Sequence, residues 1–215
     1  MRKTILVRGA AAGAVTLGAL ALLSSCATTS APADPELAAR ATAMMKASFK
    51  PHGQATLERL DQDETQRLCS AYAGHPLPAS VAEKIQQANL ATVRYPADGK
   101  LVGDWKSGEK IAQSGRGFQY SDDPTKPAGA NCYACHQLSP KEMSYGTMGP
   151  SLYRFGKVRG FTDATRRYVW AKVYNSEAFF ACSNMPRFGA HRILTEQQIR
   201  DVVALLMDPA SPVNQ

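Results

Sequence analysis

The feature that most constrains this 215-residue chain is the run Cys132-Tyr133-Ala134-Cys135-His136. Cys-x-x-Cys-His is the spacing at which a c-type haem is attached covalently. Two thiols one turn apart can each add to a haem vinyl group, and the next residue, His136, then lies under the iron as its proximal ligand. A chain built on such a hook must leave a flat apolar slot beside it and wrap that slot with helices. Two plainer uses of the same cysteines compete with this one. A thioredoxin-like redox pair would want a βαβ setting, and half of a zinc site would want a second Cys/His pair at ligand spacing. Neither companion pattern is found in the sequence.

The N-terminus gives the address. Arg2, Lys3 and Arg8 precede an uncharged run of 15 residues from Gly9 to Leu23. That is shorter than the roughly 20 residues a spanning helix needs, so it reads as a secretory signal over residues 1–25. The signal ends in Leu23-Ser24-Ser25-Cys26, which resembles a bacterial lipobox with Cys26 as the lipidated residue. Residues 26–35 would then form a polar tether. Ordinary cleavage after Ala27 is the alternative reading, and both place the mature protein outside the cytoplasm, in a periplasm or at its membrane face. The only membrane attachment expected is this N-terminal lipid.

Of the five cysteines, two go to haem and Cys26 to the lipid or to the discarded signal, which leaves Cys69 and Cys182. In an oxidising compartment these two are expected to pair, two separately buried thiols being the alternative. The formal charge of +7 falls to +4 without the three basic residues of the signal. The surplus suits an acidic docking partner or a nearby anion, and it forms no stripe of the kind that binds nucleic acid.

Periodicity points to an all-α chain. Helical spacing is expected over residues 36–50, again over 55–72 with Leu57, Leu60, Leu68 and Tyr72 inward, and over 79–91 with Val81, Ile85 and Ala88 on one side. Residues 36–97 therefore read as a helical extension that braces a haem domain at 98–215 or contributes to a partner interface. Asp163 to Tyr174 reads as a helix with Asp163 as N-cap and Tyr168, Val169, Trp170 and Val173 available for packing. The last helix opens on the capping box Thr195-Glu196-Gln197-Gln198 and carries Ile199, Val202, Val203, Leu205 and Leu206 to Pro209.

A six-coordinate haem needs a second ligand, and a thioether sulfur stabilises the reduced iron. Met143 and Met148 lie 7 and 12 residues after His136, too near to reach the opposite face, and Met207 belongs to the apolar stripe of the last helix. Met185 is preferred: it is 49 residues past His136, in a loop stiffened by Pro186. His191 in the same loop is second, and His75 third.

Gly108-Glu109-Lys110-Ile111-Ala112 and Gly149-Pro150-Ser151-Leu152 resemble the N-terminal helix and the Gly-Pro-x-Leu segment of class I cytochromes c. The resemblance implies that the Pro150 carbonyl accepts from Nδ1 of His136, and that the terminal helix crosses the N-terminal one over the haem edge. With Gly103-Asp104-Trp105, Gly146-Thr147-Met148 and Asn184-Met185-Pro186-Arg187-Phe188-Gly189 added, residues 100–208 resemble the SoxX cytochromes of bacterial sulfur oxidation. That implies one covalently bound haem c with His136/Met185 ligation and a heterodimer with a SoxA-like c-type cytochrome. The pair would couple thiosulfate oxidatively to a cysteine of a SoxYZ-like carrier. The sulfur chemistry would sit on the partner, with this chain passing electrons to a downstream acceptor cytochrome. A free-standing electron-shuttle cytochrome is the alternative, and a haem enzyme or gas sensor with an open sixth position is a third class.

Overall fold

The structure is a computed structural model, and it describes residues 34–215. The signal, Cys26 and most of the tether lie outside the described residues. Among the described residues the protein is all-α: no strand forms, and the only extended pairing is the isolated His52–Ala55 bridge. Seven helices appear in chain order, α1 Pro35–Ser48, α2 Glu64–Ala71, α3 Ala79–Leu90, α4 Trp105–Gln113, α5 Phe155–Arg159, α6 Asp163–Tyr174 and α7 Glu196–Met207, with short 3-10 turns between them. No described helix is long and apolar enough to cross a membrane.

The core is organised by α7. Ile199, Val202, Val203, Ala204, Leu205, Leu206 and Met207 are all buried, so this helix is covered on nearly every side. The expected capping box is present, Thr195 Oγ1 accepting from the Gln198 N–H while the Gln198 side chain accepts from the Thr195 N–H. Helix α4 lies across it. A Cβ on Gly108 would fall 2.1 Å from the Asp201 carbonyl oxygen, so only glycine permits this approach of the two backbones. The entry to α4 is pinned as well, because Asp201 accepts from the Asp104 N–H at 2.9 Å. On the other flank α6 buries Val169, Trp170, Ala171 and Val173.

Several boundaries differ from the sequence expectation. The helix anticipated over 55–72 is two pieces, a 3-10 turn at Leu57–Leu60 and then α2. Asp63 starts α2 afresh: it accepts from the Gln66 N–H while Gln66 answers the Asp63 N–H, a capping box that the apolar spacing conceals. Leu57 is consequently exposed, and so are Ala88 on α3 and Tyr168 on α6. Helix α6 is capped by Thr162, whose Oγ1 accepts from the Thr165 N–H, and Asp163 is its first helical residue. Helix α1 ends at Ser48 and buries nothing.

The extension is laced to the rest of the chain by polar contacts. Buried Asn175, just past α6, donates to the Asn89 side chain at 2.9 Å and to Thr92 Oγ1 at 2.9 Å, while Asn89 donates to Thr65 Oγ1 at 2.8 Å. Trp170 Nε1 donates to the Arg94 carbonyl at 2.8 Å. Buried amides with every strong donor matched fix one docking geometry for α3, since a slip would orphan several of them together.

Candidate haem-attachment site

The motif forms a single turn. His136 N–H donates to the Cys132 carbonyl at 2.9 Å and Cys135 N–H to the same oxygen at 3.1 Å, after Asn131 enters in the left-handed region at φ 47°. The segment 146–152 folds back over this turn, with Gly146 N–H bonded to Tyr133 O, Gly149 N–H to Cys135 O and Leu152 N–H to Gln137 O at 2.7–2.9 Å. His136 Nδ1 lies 2.7 Å from the Pro150 carbonyl oxygen. A carbonyl only accepts, so Nδ1 carries the proton, and Nε2 keeps its lone pair for a metal. Beneath the ring is Gly149: a Cβ there would fall 2.2 Å from Cε1 and 2.7 Å from Nε2. That glycine role was hidden in the sequence inside the Gly-Pro pair, where the proline draws attention.

Cys132 and Cys135 are free thiols, whereas Cys69 and Cys182 are bridged, with Cα atoms 5.4 Å apart and a sequence separation of 113. Cys132 packs against the core, and burial pushes its thiol up to about 12. A reactive redox thiol is shifted the other way, so this environment does not suit a thioredoxin-like nucleophile. Among the described residues no group of three or more His, Cys, Asp and Glu side chains is placed to hold a metal ion, which leaves the Cys132/Cys135 pair without the companions of a zinc site.

The loop expected to carry the second ligand is held from several directions. Met185 is half-buried against the core cluster; its carbonyl accepts from Ser176 Oγ at 2.5 Å and its N–H donates to Ser183 Oγ at 3.1 Å. Buried Glu177 accepts from the Cys182 N–H at 2.6 Å, and burial raises its carboxyl above the usual range. Two residues past Met185, Arg187 donates to Asp63 of the extension at 2.5 Å, and the bridge ties the same loop to α2. Ser176, Ser183 and Glu177 carried no signal in the sequence, being small or charged residues in an irregular stretch. Of the competing ligands, Met143 and Met148 are exposed, Met207 is buried in α7, His191 sits beside Asp63 at 3.6 Å, and His75 is exposed in a turn.

These residues fit a covalently attached haem. The donors are of the right kind, two unbridged thiols, an imidazole with one nitrogen assigned, and a thioether in a braced loop. No protein-family model matches the chain. It is similar to an uncharacterized lipoprotein of Aquifex aeolicus, 38% identical over 157 residues that cover 72% of this chain and 73% of the relative.

Proposed function

The chain belongs to the same family as the Aquifex aeolicus lipoprotein, and from its site we propose that it is an exported mono-haem cytochrome c that transfers electrons. The observation that carries the reading is the seating of His136, with Nδ1 on the Pro150 carbonyl and the ring against Gly149, beside two thiols left free in a chain that bridges its other pair. Bound there, the haem would supply a one-electron iron couple. Cys132 and Cys135 would hold it by thioether bonds. His136, its tautomer set by Pro150, and Met185 would supply the iron's protein ligands. The crossing of α4 and α7 through Gly108 supports a class I cytochrome c-like arrangement for residues 98–215.

Residues 100–208 carry the motifs of the SoxX cytochromes, so we assign the protein as the electron-accepting subunit of a SoxAX-type enzyme that couples thiosulfate to a carrier cysteine. On this reading the sulfur chemistry belongs to a SoxA-like partner, and Met185 keeps this chain's iron closed to substrate. The lipoprotein name of the relative supports lipidation at Cys26, hence a periplasmic protein held to the membrane. The test has two stages. Mature protein from the native host should yield a peptide spanning residues 131–137 heavier by one haem, and an unmodified peptide would end the proposal. A one-to-one complex with a second c-type cytochrome in native mass analysis supports the SoxAX assignment, whereas a lone haem protein from thiosulfate-grown cells leaves a free-standing electron shuttle.

A further inference from the structure

On the face where the extension meets the loop after Met185 there is an open cavity of about 490 Å³. Arg94, Arg187, His191 and Arg192 line it over a floor that includes Asn175 and Thr92, and none of its lining residues is a carboxylate. Three arginines and a histidine lining one cavity make it electropositive, and such a surface favours a ligand of opposite sign. The nearest acid, Asp63, is already committed: one oxygen accepts from the Gln66 N–H and the other serves both Arg187 and His191. Arg187 is the deepest of the three, its side chain only 11% exposed. Among the described residues Asp63 is its hydrogen-bond acceptor, and the buried Glu177 carboxylate also faces it without accepting a hydrogen bond from it, so most of its five-donor fork has no acceptor within the chain.

The other two arginines are placed differently. Arg94 is pre-oriented, since its Nη1 donates to the Ala91 carbonyl at 2.8 Å. Arg192 makes no ion pair among the described residues, and its backbone is in the left-handed region at φ 55°, a conformation that costs a non-glycine side chain free energy. The loop accepts that cost, and the outcome is a third cation on the rim of the same cavity.

We propose that this cavity is a binding site for a small doubly charged oxyanion of the sulfate or phosphate class, held by charge-assisted hydrogen bonds from Arg94, Arg187 and Arg192. Planar guanidinium forks match the paired oxygens of a tetrahedral oxyanion, whereas a monovalent halide offers half the charge and no paired acceptors. The proposal does not depend on the haem reading, because it uses only groups that line the cavity.

The test is a titration of the mature protein with sodium sulfate or sodium phosphate at constant ionic strength set by sodium chloride, followed by calorimetry and by amide chemical shifts. Saturable binding, with shifts confined to residues 89–94 and 187–192, is expected. Arg94→Gln and Arg192→Gly should each weaken it about tenfold, the usual scale for one charge-assisted contact. Glycine is chosen at 192 because it tolerates the positive φ, and unchanged thermal melting of each variant shows that the fold is intact. Binding no tighter than chloride, or affinity in both variants equal to that of the native protein, would overturn the proposal. So would binding of a polyglutamate peptide in the absence of any oxyanion response, which would assign the surface to an acidic protein partner.

Discussion

Replacing Gly149 by alanine tests the seat of the proximal histidine with a single carbon atom. The added Cβ would start 2.2 Å from Cε1 and 2.5 Å from Nδ1 of His136. Carbon atoms rest at about 3.5 Å or more, so ring and backbone must separate by about 1.3 Å. The Nδ1 to Pro150 bond is 2.7 Å long and has only about 0.5 Å of slack before it leaves hydrogen-bonding range. The alanine variant should therefore lose that bond, tilt the imidazole and weaken iron ligation by the 10–100-fold that follows loss of an orienting partner. Optical spectra of the ferric and ferrous protein read this directly, the low-spin signature giving way to a mixture that binds carbon monoxide. Ser151→Ala, which removes a hydrogen bond to Gln137 and a long one from the Tyr153 N–H but leaves Gly149 and the Pro150 carbonyl in place, is the control and should keep the native spectrum. A Gly149→Ala protein with native spectrum, potential and melting temperature would refute the seating of the ring and the ligand assignment built on it.

Reducing or replacing the Cys69–Cys182 bridge opens a loop of 113 residues and should cost about 4.8 kcal/mol by the chain-entropy relation, measured as a lower urea midpoint. Met185→Ala should leave His136 bound but open the sixth position, so that carbon monoxide binds the variant and not the native protein. Burial raises the carboxyl of Asp63, but the Gln66 N–H, the Arg187 guanidinium and His191 outweigh it and hold the group below its ordinary range. The stability it lends is thus present above the unfolded value of about 3.9 and is lost as pH falls through the folded one, and Asp63→Asn should flatten that acid limb in pH-dependent melting. Glu177 shifts the opposite way, chiefly by burial, so its contribution is full at low pH and fades as pH rises through its folded value. Glu177→Gln should keep the bond from Cys182 and match or exceed native stability at pH 7, whereas Glu177→Ala should lose about 1–3 kcal/mol in the same melts.

The sequence exposed the parts of this protein whose chemistry depends on residue type and short spacing. The tight Cys132–His136 turn, the capping box at Thr195, the bounds of α6 and the buried stripe of α7 are all of that kind. It concealed what depends on side chains meeting from distant segments. Asn89 and Asn175 are 86 residues apart and Asp63 and Arg187 are 124 apart, and nothing in a polar residue announces that it is buried and matched. The same limit explains the error over 55–72. Apolar spacing runs through Asp61-Gln62-Asp63, but a carboxylate that can cap begins a new helix there, and local hydrogen bonding outweighs a weak stripe. Gly149 and Gly108 belong to the same class, because a glycine shows its purpose only when the atom that approaches it is known.

The bridge between Cys69 and Cys182 encloses residues 70–181, and Cys132 and Cys135 are inside that ring. Four thiols could pair in three ways, and all three would consume Cys132 and Cys135, two of them in bonds to Cys69 and Cys182. On the proposed reading, haem attachment removes both residues from the competition and leaves Cys69 and Cys182 a single choice. Thioether formation would then serve as a sorting step for oxidation. Cells that export the chain but cannot ligate haem should accumulate scrambled, protease-sensitive isomers in place of a tidy apoprotein.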